Sequence, residues 1–186
     1  MEKEIFDFSC KAYAPSIKKI IEDNVRFYRY KDTIKWKFGF DENDLIVAAC
    51  DRNTNVITIN LKSVMISHNQ DNLKTVEYFL LHEIRHTFQN AIINDYKNGI
   101  KVPIDKEVVE KWIYEGKHYI KSCDENGNEN SGYFLQDLEM DAYAFSYAVM
   151  KYKYGNVSDL YVPNVYKDEF YELVDSWIDS FKKEQL

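Results

Sequence analysis

Two histidines and a glutamate stand close together in residues 82–86, which read His-Glu-Ile-Arg-His. On a helix, at about 100° per residue, His82 and His86 lie one turn apart on the same face, where two imidazoles can bind one metal ion. Glu83 lies beside them, too close along the chain to be an easy ligand and well placed to hold a metal-bound water. The spacing predicts a Zn²⁺ site in which Glu83 is the catalytic base.

The segment around this motif predicts a helix from residue 73 to residue 97, ending before Gly99. Its apolar side chains fall on the arc opposite the histidines, as a helix with one core face and one zinc face requires: Leu80, Leu81, Ile84, Phe88 and Ala91. The plainer interpretation is a surface helix that carries two histidines by chance. The helical register and the apolar arc together favour the zinc interpretation.

A catalytic zinc site takes a third protein ligand and keeps a fourth position open. Glu139, on a predicted helix over 133–153, is the favoured third ligand; Asp141 and His118 are the alternatives. Asp141 lies about 200° around that helix from Glu139, so the two carboxylates cannot both point at one metal ion. Without the upstream motif Glu139 would be an ordinary solvated carboxylate.

The pattern His82-Glu83-x-x-His86 followed by Glu139-x-x-Ala142 resembles the gluzincin group of zinc metallopeptidases. In layout it is most similar to the small ImmA/IrrE-like peptidases, over residues 45–150. The resemblance implies a zincin-like fold, bound Zn²⁺ and hydrolysis of a protein or peptide substrate such as a transcriptional repressor. Thermolysin-like gluzincins carry Asp four residues after the ligand Glu, where this chain has Tyr143, so the support of its zinc-bound histidine must differ.

These residues predict a mechanism in which zinc lowers the pKa of its bound water and Glu83 passes the water's proton to the leaving amine. The segment 56–60 resembles the family's edge strand and is expected to pair with an extended substrate. Arg85 and Gln89 are expected in salt bridges or solvent, although a role in substrate binding stays open. Tyr143 and Tyr147 are expected to pack, although a phenol there would be able to donate to a reaction intermediate.

Two other functions compete with the peptidase hypothesis. The first is a non-catalytic protein-binding domain that keeps the zinc helix as a scaffold, which the intact Glu83 argues against. The second is a helical interaction domain without metal. His118 is an alternative oxyanion donor, and His68 is assigned no role.

Patterning along the chain predicts an α+β fold, mostly helical, with a small antiparallel sheet packed on the zinc helix. A helix is expected over 15–30 with Pro15 near its start, extended chain over 34–40, and a β-hairpin over 45–60. Three more helices and one loop complete the prediction: a helix from Pro103 and Asp105 to 119, a loop over 121–130, and helices over 133–153 and 164–183.

Composition sets the class of protein and its compartment. The length of 186 residues predicts a single domain over 1–186, and the net charge of −7 with no long basic run disfavours nucleic-acid partners. The N-terminal residues lack a basic segment followed by an apolar one, so no signal peptide is expected, and no apolar run reaches the length expected of a membrane span. Cys10, Cys50 and Cys123 are widely spaced and predict free thiols, which is typical of a cytoplasmic protein.

Overall fold

A computed structural model of the chain describes residues 2–27, 34–43, 46–69, 73–123, 130–162 and 167–184. The described chain is mostly helical with one small sheet, as the sequence predicts for an α+β protein. Its elements in order are α1 (Lys3–Asn24), a 3₁₀ helix (Val25–Phe27), β1 (Lys35–Gly39), β2 (Ala48–Asp51), β3 (Val56–Asn60), α2 (Leu61–Asn69), α3 (Lys74–Lys97), α4 (Lys106–Lys117), a 3₁₀ helix (Ser131–Leu135), α5 (Asp137–Tyr154) and α6 (Lys167–Lys183).

The described chain divides into two compact units, the first ending at Thr87 and the second beginning at Phe88. The boundary falls inside α3, just after the motif at residues 82–86. The expectation of a single domain over 1–186 stays a prediction.

The sheet of the first unit has the strand order β1-β3-β2. Strands β2 and β3 pair antiparallel, which confirms the predicted hairpin for the described residues. Its turn is held by the Asp51 carboxylate, which accepts hydrogen bonds from the backbone N–H groups of Asn53 and Thr54, and Asn55 takes a positive φ of 55°. Asparagine tolerates this left-handed conformation better than most residues.

Two expectations about the sheet were wrong. Strand β1 pairs with β3 in parallel, so the sheet is mixed and not antiparallel throughout. For the same reason β3, at residues 56–60, is the central strand and not an edge strand. Its Ile57 and Ile59 are fully buried. The β-branched run predicts a strand but carries no information on how many neighbours it has, because strand order is set by pairing with the distant residues 35–39.

One apolar core holds the first unit together and positions the N-terminal half of α3. It joins residues from α1, β3, α2 and α3 with Val47, which precedes β2: Ile17, Ile20, Val47, Ile57, Ile59, Val64, Val76, Leu80 and Ile84. Burying side chains of this size stabilises a fold by about 1.5–3 kcal/mol each. Two α3 members of this cluster, Leu80 before the histidine motif and Ile84 within it, fix the rotation of the motif about the helix axis.

The predicted start of the first helix at residue 15 was wrong, because α1 begins at Lys3 and Pro15 lies inside it. Proline is favoured in the first turn of a helix, which is why Pro15 suggested a start. Here Ile17 and Ile20 bury the face that follows Pro15, so packing outweighs the backbone hydrogen bond that proline cannot donate. Residues 28–30 of the predicted helix lie outside the described residues. Helix α2 was not predicted.

The helices of the second unit match the sequence predictions closely. Helix α4 follows Asp105 at its N-cap position, and α5 ends at Tyr154, after which Gly155 takes a positive φ of 75°. The start of the predicted helix over 133–153 is a 3₁₀ helix, and α6 begins after residues 163–166, which lie outside the description. Most of the predicted loop over 121–130 also lies outside it. Over the described ranges, no helix combines the length and hydropathy needed to cross a membrane.

Glu115 of α4 joins that helix to the start of α5. Its carboxylate oxygens accept hydrogen bonds from the backbone N–H groups of Asp137 (2.9 Å) and Leu138 (3.0 Å). These N–H groups belong to the first turn of α5, which has no helical acceptors of its own, and a carboxylate there also complements the helix dipole. Glu115 therefore fixes the end of α5 that carries Glu139.

We expect Glu115→Gln to lower the free energy of unfolding by about 1–2 kcal/mol, because one of the two acceptor oxygens is replaced by an NH₂ group facing an N–H. Chemical denaturation measures the change. Glu110→Gln on the exposed face of the same helix is the control and should stay within about 0.5 kcal/mol of the parent. Equal effects of the two substitutions would contradict the capping role.

Candidate metal centre

Helix α3 is buried around its whole circumference at the histidine motif. His82 and His86 are only 2% and 8% exposed, although they lie on the face that the sequence assigns to zinc. Arg85 and Gln89 are buried as well, so the expectation that solvent surrounds them was wrong. Gln89 donates hydrogen bonds to the Leu138 carbonyl and the Asp141 carboxylate.

The two histidines point their ring nitrogens at one place. Their Nε2 atoms are 3.0 Å apart, and the rings stand perpendicular with centroids 4.6 Å apart. This is the geometry that the helical spacing of one turn predicts for two residues on one face. Two imidazole nitrogens brought this close offer a pair of donors to a single metal ion.

Glu139 completes a three-residue group with this pair. One ligand atom from each of His82, His86 and Glu139 lies within 4.8 Å of the others, and all three residues are buried. Such a group could hold a metal ion, and it contains the three residues that the sequence singled out. The two alternatives lie elsewhere: Asp141 accepts a hydrogen bond from Gln89, and His118 is an exposed residue whose ring stacks on Tyr114.

Two tyrosines surround the Glu139 carboxylate. The phenol of Tyr119 donates a hydrogen bond to Glu139 Oε1 at 2.8 Å. Burial and, after it, the negative charge of Glu139 raise the pKa of Tyr133 well above its usual value, so its phenol keeps its proton. Sequence analysis missed both residues, because nothing marks two of the 15 tyrosines as neighbours of Glu139.

The other tyrosines considered from the sequence pack, as expected. Tyr143 lies 7% exposed among Phe134, Tyr133 and Tyr161, and Tyr147 packs against Phe170 and Tyr171. His68, to which no role is assigned, packs its ring edge-to-face with Tyr13 at 5.2 Å.

Glu83 is held in place by strand β2. Its Oε2 accepts a hydrogen bond of 2.7 Å from the backbone N–H of Cys50, and its Oε1 lies 3.9 Å from Nε2 of His82. Cys50 faces Ile57 of β3, and its N–H is directed away from that strand toward Glu83. The carboxylate thus sits beside the histidine nitrogens but outside the three-residue group that could hold a metal ion.

Cys50 also has an unusual thiol. Burial and the nearby charge of Glu83 raise the pKa of Cys50 to about 12. Because the thiolate is the reactive form of cysteine, this thiol is inert at neutral pH. The contribution of Cys50 to the site is its backbone N–H.

No protein-family model, curated protein or solved structure matches the chain. The class of protein is therefore defined by fold and site alone. It is a mostly helical α+β protein with a buried His-His-Glu group that could hold a metal ion.

We expect iodoacetamide at pH 8 to modify Cys123, which is exposed, much faster than Cys50. The protonated Cys50 thiol should react at an appreciable rate only after unfolding. Peptide mass spectrometry over time measures both adducts, and Cys123→Ser should remove the fast one. Equal rates for the two thiols in the folded protein would contradict the raised pKa of Cys50.

Proposed function

We propose that the protein is a zinc-dependent peptidase in which His82, His86 and Glu139 hold Zn²⁺ and Glu83 is the catalytic base. The observation that carries this proposal is the position of Glu83. Its carboxylate lies 3.9 Å from the His82 ring nitrogen and is oriented by the Cys50 N–H, next to a buried group of suitable ligands.

The donor set suits zinc. Two imidazoles and one carboxylate are the ligands of several catalytic zinc sites, which have three protein ligands and one open position. Sites for Mg²⁺ or Ca²⁺ are built mainly from oxygen ligands, and this group offers two nitrogens. When bound, zinc supplies a Lewis acid that lowers the pKa of a water molecule toward neutrality.

The residues around the site supply the proton transfers of the proposed reaction. Glu83 accepts a proton from the attacking water and passes it to the leaving amine, which is general base and then general acid catalysis. The Cys50 N–H holds one carboxylate oxygen and leaves the oxygen nearer His82 for the water. A non-catalytic zinc scaffold has no need of a carboxylate oriented in this way.

The path of the substrate differs from the one expected from the sequence. Strand β3 is hydrogen-bonded on both sides, so residues 56–60 have no free edge for a substrate. Strand β2 lies at the edge of the described sheet and reaches Glu83 through Cys50. Successive residues along this side of the hairpin alternate between those that are hydrogen-bonded to β3 and those that are not. The Asn60 N–H donates to the Val47 carbonyl, so the next residue, Ala48, directs its backbone N–H and carbonyl away from β3.

An extended peptide laid along β2 would pair with these outward groups and pass beside Glu83, in the manner of β-augmentation. The substrate we propose is accordingly an unfolded or extended segment of a protein, and a transcriptional repressor is the class that the family resemblance suggests. Free thiols at Cys10, Cys50 and Cys123 support a reducing compartment, and we propose the cytoplasm.

We expect metal-repleted protein to bind zinc at a ratio near one per chain, because three protein ligands complete a single catalytic site. Elemental analysis after dialysis measures the ratio. His82→Ala combined with His86→Ala should abolish binding, whereas His68→Ala, on α2, is the control and should retain it. A ratio near zero for the wild type, or near one for the double variant, would refute the proposed ligands.

We expect Glu83→Gln to retain zinc and fold but to lose activity by about 10²-fold or more, the usual scale for a general base. The amide oxygen at position 83 can still accept the Cys50 N–H, so the site keeps its shape while losing its proton acceptor. Cleavage of an unfolded model protein, zinc content and thermal unfolding are measured on the same preparations.

Glu107→Gln, at an exposed position of α4, is the control for the same chemical change. Undiminished cleavage by Glu83→Gln would end the proposed mechanism. Stoichiometric zinc in a wild-type protein that cleaves neither itself nor any of a broad set of unfolded proteins would instead favour the non-catalytic scaffold.

A further inference from the structure

Tyr119 combines two features that seldom occur together. Its phenol donates a hydrogen bond of 2.8 Å to Oε1 of Glu139, whose side chain is fully buried. Yet Tyr119 itself is 39% exposed. A tyrosine that served only to fill space would bury its ring and leave its polar hydroxyl in water. Here the hydroxyl is the inward end, and it is aimed at a carboxylate of the proposed metal site.

The backbone next to Tyr119 is fixed to the start of α5 by Gln136. The side-chain amide of Gln136 accepts a hydrogen bond from the Ile120 N–H and donates one to the Ile120 carbonyl, both at 2.9 Å. The same amide donates to the carbonyl of Tyr133 at 3.0 Å. Gln136 is only 4% exposed, so these bonds form away from water, where they hold their geometry best.

Both ends of the Tyr119–Glu139 hydrogen bond are therefore anchored to the same helix end. Glu139 lies one helical turn after Gln136, and the Tyr119 ring packs edge-to-face with Tyr133 at 6.1 Å. The phenol has little freedom to leave Oε1. The arrangement is a built support for one carboxylate oxygen and not a chance contact of a surface side chain.

We propose that Tyr119 is a positioning residue for the metal ligand Glu139: its phenol occupies Oε1, so that the carboxylate presents its other oxygen to the metal ion. The inference rests on the metal site proposed above. A carboxylate can bind a metal ion through one oxygen or both, and binding through one keeps a coordination position open for the reaction. Because the phenol is neutral, it orients Glu139 without adding a charge that competes with the metal ion.

Removing the phenol should release Oε1 and change how Glu139 binds the metal ion. We expect Tyr119→Phe to raise the Kd for Zn²⁺ by about 10–100-fold, the usual scale for a supporting hydrogen bond to a ligand. The protein loaded with Co²⁺ in place of Zn²⁺ reports the coordination directly. We expect its visible absorption to weaken and shift, because binding through two oxygens raises the coordination number.

Competition with a chromophoric chelator measures the Kd, and the Co²⁺ spectrum is recorded on the same proteins. Tyr114→Phe is the matched control: it removes a phenol from the last part of α4, at a residue that is 63% exposed and stacks on His118. We expect the control to keep the wild-type affinity and spectrum. Circular dichroism of the metal-free proteins checks that each variant is folded.

Unchanged Zn²⁺ affinity in Tyr119→Phe would overturn the inference while leaving the metal site in place. A weaker affinity with an unchanged Co²⁺ spectrum would also overturn it, because the phenol would then support the fold and not the orientation of Glu139. A wild-type protein that binds neither ion would overturn the metal site and this inference with it. The wild-type titration separates the third outcome from the first two, and the titration of Tyr119→Phe separates those two from each other.

Discussion

The close approach of two imidazole nitrogens inside a buried helix is the constraint on which the rest of the site depends. Nε2 of His82 and Nε2 of His86 lie 3.0 Å apart, and the Glu139 carboxylate belongs to the same buried group. Burying polar groups costs free energy unless they are paired, and a buried carboxylate costs more than a neutral group. A bound cation would balance this negative charge and satisfy both nitrogens, so the arrangement makes physical sense as a ligand set.

Backbone groups orient several of the polar residues around this site. The Cys50 N–H holds Glu83, the Leu138 carbonyl accepts from Gln89, and both polar groups of Ile120 bind Gln136. Glu115 receives two N–H groups from the first turn of α5. A backbone group is placed by its strand or helix, so this part of the geometry of the site follows from the fold of each unit.

The order of the strands decides which part of the sheet is available to a partner. Strand β3 has the strongest β-propensity of the three, but β1 pairs with one side of it and β2 with the other. Strand β3 is therefore the least accessible strand of the described sheet. Strand β2 reads Ala-Ala-Cys-Asp and has a weak β-propensity, yet it carries the N–H that orients Glu83. In the proposed site, the role of a strand follows its position in the sheet and not the strength of its local β-propensity.

The sequence by itself determined the features that depend on local periodicity. The helical repeat places His82 and His86 on one face, and the register of the later helix favours Glu139 over Asp141; the structure brings the same three residues together. The hairpin, the helix after Asp105 and the end of α3 near Gly99 are likewise local, because turns and caps are set by neighbouring residues.

Only the tertiary structure decided what depends on residues distant in the chain. The central position of β3 requires pairing with residues 35–39, and α1 continues through Pro15 because a packed face outweighs a local signal. Gln89 is a polar residue, yet the fold buries it. No sequence feature distinguishes Tyr119 from the other tyrosines, and only the structure shows that its phenol donates a hydrogen bond to Glu139. Local patterns determine on which face of a helix or strand a side chain lies, whereas contacts between distant residues determine what packs against that face.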